Sequence, residues 1–162
     1  MALTYEPIST TTLGTATATI SFSSIPQTYT DLRVVFSGKA DNISSLYVRL
    51  NNDATTANYL GYNMYSQSTT PTASFDANLG SISSGAMALS INSSVIDIFK
   101  YTTTTYYRPL LIRSSNAYAY LNERRASAFW LSTSAVTTVT LGTTVGSLAV
   151  GTMATLYGIK AA

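Results

Sequence analysis

Apolar and polar residues alternate with a period of two along almost the whole chain, and no 3.6-residue apolar stripe persists anywhere. Strict alternation sends every second side chain to the same face of a strand, so each such segment needs a partner layer. Ala16, Ala18, Ile20 and Phe22 alternate with Thr17, Thr19 and Ser21, while Leu46, Val48 and Leu50 face away from Tyr47 and Arg49. The same pattern predicts strands at 31–36, at 59–65 with Leu60, Tyr62 and Met64 on one face, and at 95–99. Others are expected at 106–113, 117–121, 126–131, 136–141 and 153–159. Asn51-Asn52-Asp53 supplies turn chemistry, because Asn and Asp tolerate left-handed backbone and bond locally. Pro109 belongs at a strand start or an edge. Residues 66–78 are polar without a clear period and read as a long exposed loop; 79–91 is ambiguous between a strand and one helical turn.

Short strands with turns about every 8–12 residues, and no helices between them, predict an all-β fold. The expected architecture is an antiparallel β-sandwich, jelly-roll-like, because one layer could not hide every apolar face. A single domain over 1–162 is expected, with a short extended N-terminal arm over about residues 1–12, where Pro7 favours extended backbone.

Composition then removes most chemistry. The chain has no histidine and no cysteine, 10% of its residues are charged, and roughly three in ten are Ser or Thr, far above the usual share. A nucleophilic serine would need a lysine base, but Lys39, Lys100 and Lys160 lie in no Ser-x-x-Lys arrangement. No phosphate-cradling Gly-rich loop occurs. Paired carboxylates are the one open route to hydrolysis. Asp97 is the unusual carboxylate, flanked by Val95, Ile96, Ile98 and Phe99; an ion pair with an arginine on a neighbouring strand, or a solvent-facing position, accounts for it. Glu123 beside Arg124-Arg125 reads as a charged surface turn. Calcium at 51–53 would lack the EF-hand spacing, and an Asx turn explains those residues. No catalytic residue, cofactor or metal is expected, and the chain is read as a non-enzyme.

Binding is the remaining role. Twelve tyrosines, five phenylalanines and one tryptophan stand in the chain. Tyr serves half-buried interfaces and sugar-stacking platforms alike, whereas Trp130, between Phe129 and Leu131, reads as a core anchor. The net charge of +2 is small and the basic residues are scattered, which disfavours nucleic acid and leaves little self-repulsion to oppose assembly. No apolar run is long enough for a membrane-spanning helix, and the N-terminal residues lack a signal-peptide pattern, so synthesis and folding in a cytoplasm are expected.

Three segments, in order, carry a resemblance: Met1-Ala2-Leu3-Thr4-Tyr5-Glu6-Pro7-Ile8, then Ser24-Ile25-Pro26-Gln27-Thr28-Tyr29-Thr30-Asp31-Leu32-Arg33, then Ala154-Thr155-Leu156-Tyr157-Gly158-Ile159-Lys160-Ala161. Together they resemble small structural virion proteins of tailed bacteriophages, largely from aquatic hosts. The resemblance implies a β-sandwich displayed on the particle, on the head surface or on the tail. Two functions are then expected in order of preference. The first is a capsid decoration, or cement, protein that binds the outer shell and itself, preferably as a homotrimer. The alternative is a tail-fibre or receptor-binding module that grips a host surface glycan. The expected interface residues are Leu3, Tyr5, Pro7, Ile8, Tyr59, Tyr65, Tyr118 and Tyr120.

Overall fold

In the computed structural model, residues 4–67, 70–77, 82–87, 90–116 and 122–160 are described. Among the described residues, twelve strands form two antiparallel sheets. The larger has the order β1 (Thr4–Thr12), β12 (Met153–Lys160), β3 (Asp31–Gly38), β8 (Asn92–Ile98), β9 (Arg108–Asn116), β10 (Asn122–Trp130), β5 (Tyr59–Gln67) and β6 (Thr70–Ala77). The smaller has the order β2 (Thr19–Phe22), β11 (Val139–Thr143), β4 (Ser44–Leu50) and β7 (Ile82–Met87). The chain passes repeatedly between the layers, and the all-β sandwich expected from the alternation is what forms. No helix among the described residues is long and apolar enough to cross a membrane.

The core lies where the inward parities meet. Leu32, Val34 and Phe36 of β3 face Ile20 and Phe22 of β2 and Leu46, Val48 and Leu50 of β4 within one cluster of buried side chains. Ile96, Ile98, Leu110, Ile112, Ala126 and Ala128 extend it beneath β8 to β10. Trp130 is buried in it, as expected of a core anchor.

Three segments differ from the sequence reading. The N-terminal segment is no free arm: Thr4–Thr12 pairs along its length with β12, with a bulge between Pro7 and Ser9. Pro7 is tolerated because β1 is the outermost strand and the ring costs no ladder bond that an inner strand would need. Part of the expected loop is strand β6, paired with β5 from Leu60↔Ala77 to Gln67↔Thr70. An edge strand with solvent on its outer face needs no strong apolar period, so its sequence looks like a loop. Glu123 lies within β10 rather than in a turn. Pro109 stands second in β9, at a strand start as expected, though the strand is central. The strand expected at 117–121 lies outside the described residues.

The ends of the sandwich are closed by polar side chains that serve loop backbone. Asn51 and Asn52 adopt left-handed backbone (φ 52° and 54°), and the Asp53 amide donates to the Leu50 carbonyl at 3.0 Å. This two-residue turn of primed type carries the chain from the small sheet toward the large one. Asn51 holds the 135–138 loop: its Nδ2 donates to Ala135 O, and its Oδ1 accepts from the amides of Thr137 and Thr138. At the β1 and β12 side, the Tyr29 ring sits over the Cα of Gly158, where any Cβ would collide with it. Its hydroxyl donates to Glu6, which also pairs with Lys160 at 2.9 Å. Gly158→Ala is therefore expected to displace that ring and lower stability by about 1–3 kcal/mol. Urea unfolding followed by the fluorescence of the single tryptophan will measure it; an unchanged midpoint would show that the ring is not fixed there.

Candidate functional site

The outer face of the large sheet carries the features that core building does not explain. Because all eight strands are in register, one cross-strand row runs over the whole face: Pro7, Tyr157, Arg33, Asp97, Leu111, Ser127, Tyr62 and Phe75. A row two residues along β3 reads Val35, Val95, Arg113, Arg125 and Met64. The next reads Ser37, Ser93, Ser115 and Glu123.

Toward β5 and β6 the face is apolar. Tyr62 is 66% exposed, Met64 67%, Phe75 53%, Leu111 46% and Phe129 45%. The rings of Tyr62 and Phe75 meet at 4.7 Å between centroids. A depression of about 490 Å³ runs between Met64, Tyr62 and Leu111, with Asp97 and Arg113 at its inner end.

Toward β3 and β12 the face is charged and hydroxylated. Asp97 is 6% exposed and accepts two bonds from Arg33, Nε to Oδ1 at 2.5 Å and Nη2 to Oδ2 at 3.0 Å. Of the two explanations the sequence offers for Asp97, the arginine on a neighbouring strand is the one that forms, and the carboxylate in turn raises the pKa of Arg33. The remaining Nη1 of Arg33 donates to the Tyr5 hydroxyl at 3.1 Å, and the guanidinium lies 5.1 Å from the centre of that ring. Arg113 Nη2 stands 3.7 Å from Asp97 Oδ2. Arg125 pairs with Glu123 at 3.0 Å, both well exposed. A trough of about 670 Å³ lies over Val35, Ser93, Val95, Arg113 and Ser115. Through Arg33 and Val35 it joins a smaller one of about 260 Å³ that is bounded by Tyr5 and Tyr157.

The expected interface residues scatter. Tyr5 and Pro7 are exposed on this face, in line with Arg33 and Tyr157. Ile8, at the bulge, is half-buried and packs on the core. Tyr65 is half-buried on the side of β5 opposite Tyr62. Tyr59 is not an interface residue: it is fully buried, and its hydroxyl donates to Asp53 O while accepting from the Leu50 amide. Burial pushes that phenol up to about 12. Leu3, Tyr118 and Tyr120 lie outside the described residues. Phe75 was hidden in the expected loop, and Arg33, Asp97 and Arg113 are too far apart in sequence for alternation to join them.

The Asn51-Asn52-Asp53 turn is committed to the fold. Asp53 accepts from Trp130 Nε1 and Asn58 Nδ2, each at 2.7 Å, and from the Thr55 amide at 2.8 Å. Among the described residues no group of three or more His, Cys, Asp or Glu is placed to hold a metal. The molecule is a β-sandwich whose larger sheet carries, on its outer face, an apolar patch beside a charged and hydroxylated one. Set against family models, curated proteins and solved structures, the chain matches none.

Proposed function

We propose that this chain is a structural protein of a tailed-phage virion, a decoration protein that docks on the outer capsid shell and works by burying surface there. The observation that carries the reading is the contiguous apolar patch of Tyr62, Met64, Phe75, Leu111 and Phe129 on β6, β5, β10 and β9. Aromatic and long apolar side chains at such exposure add up to roughly 400–600 Å², the upper end of what a monomer leaves in water. A standard protein interface covers about 800 Å² per partner, so the patch supplies its apolar centre and Pro109, Ser127 and Arg125 its rim. The partner is the major capsid protein, and copies of this chain meet as a homotrimer on the shell. Docking is through the sheet face rather than through an arm, because β1 is already paired with β12. Pro7 with its bulge, and Pro71 in β6, also blunt the two edges of this sheet against strand addition. No proton or electron transfer is involved.

Antibody labelling of purified particles tests the location: label on the heads is expected, and label on tails alone or on neither overturns the reading. Met64→Glu combined with Phe75→Ser should weaken retention on capsids by at least about tenfold while the isolated protein unfolds as before. Retention unchanged in that variant would remove the patch from the interface.

A further inference from the structure

We propose that the trough over β3, β8 and β9 binds a carboxylate-bearing glycan, a polysaccharide containing uronic acid. The proposal does not depend on where the chain sits on a particle: the trough shares Arg113 with the depression beside the apolar patch, but its serine floor lies apart from Tyr62, Met64 and Phe75.

Its floor is unusual for the outside of a sheet. Ser37, Ser93 and Ser115 face one another across three adjacent strands. Their hydroxyls form a ladder at the inter-strand spacing of about 4.8 Å. Among the described residues these three hydroxyls make no hydrogen bond within the chain, and Arg113 donates none either. Such groups exchange water for a ligand of matching polarity at little cost.

The charges select the ligand. Arg33 is spent on Asp97 and Tyr5, and Arg125 on Glu123. Asp97 is already held by two bonds from Arg33, so Arg113, at 3.7 Å, is left with its guanidinium donors open to the trough; its side chain is 61% exposed. One planar fork of donors pairs with one carboxylate in a bidentate geometry. Beside it Val35, 39% exposed, and Val95 offer an apolar strip for the C–H face of a sugar ring. Tyr5 and Tyr157 stand at the open end where a further ring stacks.

Other ligands fit less well. A nucleic acid needs a row of unpaired cations to displace its counterions; here Arg33 is already paired with Asp97, and Glu123, held by Arg125, also lines the trough, which leaves Arg113 alone. An extended peptide needs an unpaired strand edge, and β3, β8 and β9 are all interior strands.

Polygalacturonate is the probe, with dextran as its uncharged counterpart and oligothymidylate as the nucleic-acid control, in affinity electrophoresis of the full chain. Polygalacturonate should retard the protein, and dextran and oligothymidylate should not. Arg113→Gln should weaken that retardation by about tenfold or more, as loss of a bidentate ionic contact does. Ser93→Ala with Ser115→Ala should weaken it several-fold. Arg49→Gln, which removes the same charge from the opposite sheet, should leave it unchanged. Thermal unfolding of each variant checks that the fold is retained. No retardation by polygalacturonate, equal retardation of Arg113→Gln and the parent, or stronger binding of oligothymidylate or dextran would each overturn the proposal. None of those results bears on capsid docking, whose test uses other residues.

Discussion

Replacing Arg108 by methionine is expected to destabilise the protein by about 3–5 kcal/mol, equivalent to roughly 10–15 °C in Tm for a chain of this size. Arg108 opens β9, is fully buried, and among the described residues makes no ion pair with a carboxylate. Its guanidinium instead donates to four backbone carbonyls: Thr103 and Tyr106 in the loop before β9, and Thr133 (3.1 Å) and Ser134 (2.9 Å) in the loop after β10. Burial pulls its pKa down, but an arginine starts so high that the cation persists. Methionine fills much of the volume yet leaves those carbonyls without their donors, and each one that burial keeps from water costs about 1–3 kcal/mol. Relief from burying a cation offsets part of the loss, which is why the expected sum stays below the four contacts taken singly. Arg108→Lys keeps the charge but cannot reach both loops, so it should fall between parent and methionine. Urea unfolding followed by Trp130 fluorescence measures all three; a methionine variant within about 1 kcal/mol of the parent would show that the loops hold without the clamp.

Asp53→Ala should cost about 2–4 kcal/mol, for a related reason. Three donors converge on this carboxylate, from Trp130 on β10, Asn58 in the short 3-10 turn at Thr56–Asn58, and the Thr55 amide. It thus ties the turn leaving the small sheet to the large sheet. Those bonds favour the ionised form strongly enough to lower its pKa from 3.8 to about 2, against the opposing pull of burial. A carboxylate with a depressed native pKa gives its stabilisation in full above the unfolded value. Between about pH 4 and pH 2 the unfolded chain takes up the proton first, and the contribution is lost. For this partly exposed group that share is roughly 1–2 kcal/mol. Glu6, whose pKa Lys160 also lowers, titrates in the same direction, so the informative quantity is the difference between parent and variant. Asp53→Asn should lose most of the stability and flatten the acid slope by the Asp53 share. An unaltered slope would show that this carboxylate does not drive acid unfolding.

These two clamps mark a boundary in what could be read from residues. The inward sets on β3 and β4, Leu32, Val34, Phe36 and Leu46, Val48, Leu50, are legible because one parity is apolar and the other is not. On β5 the pattern points the other way: Leu60, Tyr62 and Met64 form the more apolar parity, yet Tyr59, Gly61 and Asn63 turn inward. The choice fell to Tyr59, whose phenol reaches the Leu50 and Asp53 backbone, and so Tyr62 and Met64 were left in water. Arg108, between Tyr107 and Pro109, looks like any surface arginine until the two loops close around it. The same holds for the outer face: Asp97 announced a partner, but which arginine, and what else would gather beside it, depends on strand pairing.

The sequence by itself determined the class of the molecule: an all-β chain in two layers, with little chemistry beyond hydroxyls, guanidiniums and aromatic rings. A period of two compels that, because alternating side chains can be hidden only between sheets. Only the tertiary structure decided which parity of β5 faces water, that 4–12 is a paired strand, and that Arg33, Arg113 and three serines share one trough. The reason is physical. Alternation specifies two faces but not which of them meets the other layer when an anchored side chain such as Tyr59 decides, and hydrogen bonds between strands are made by backbone that every residue shares.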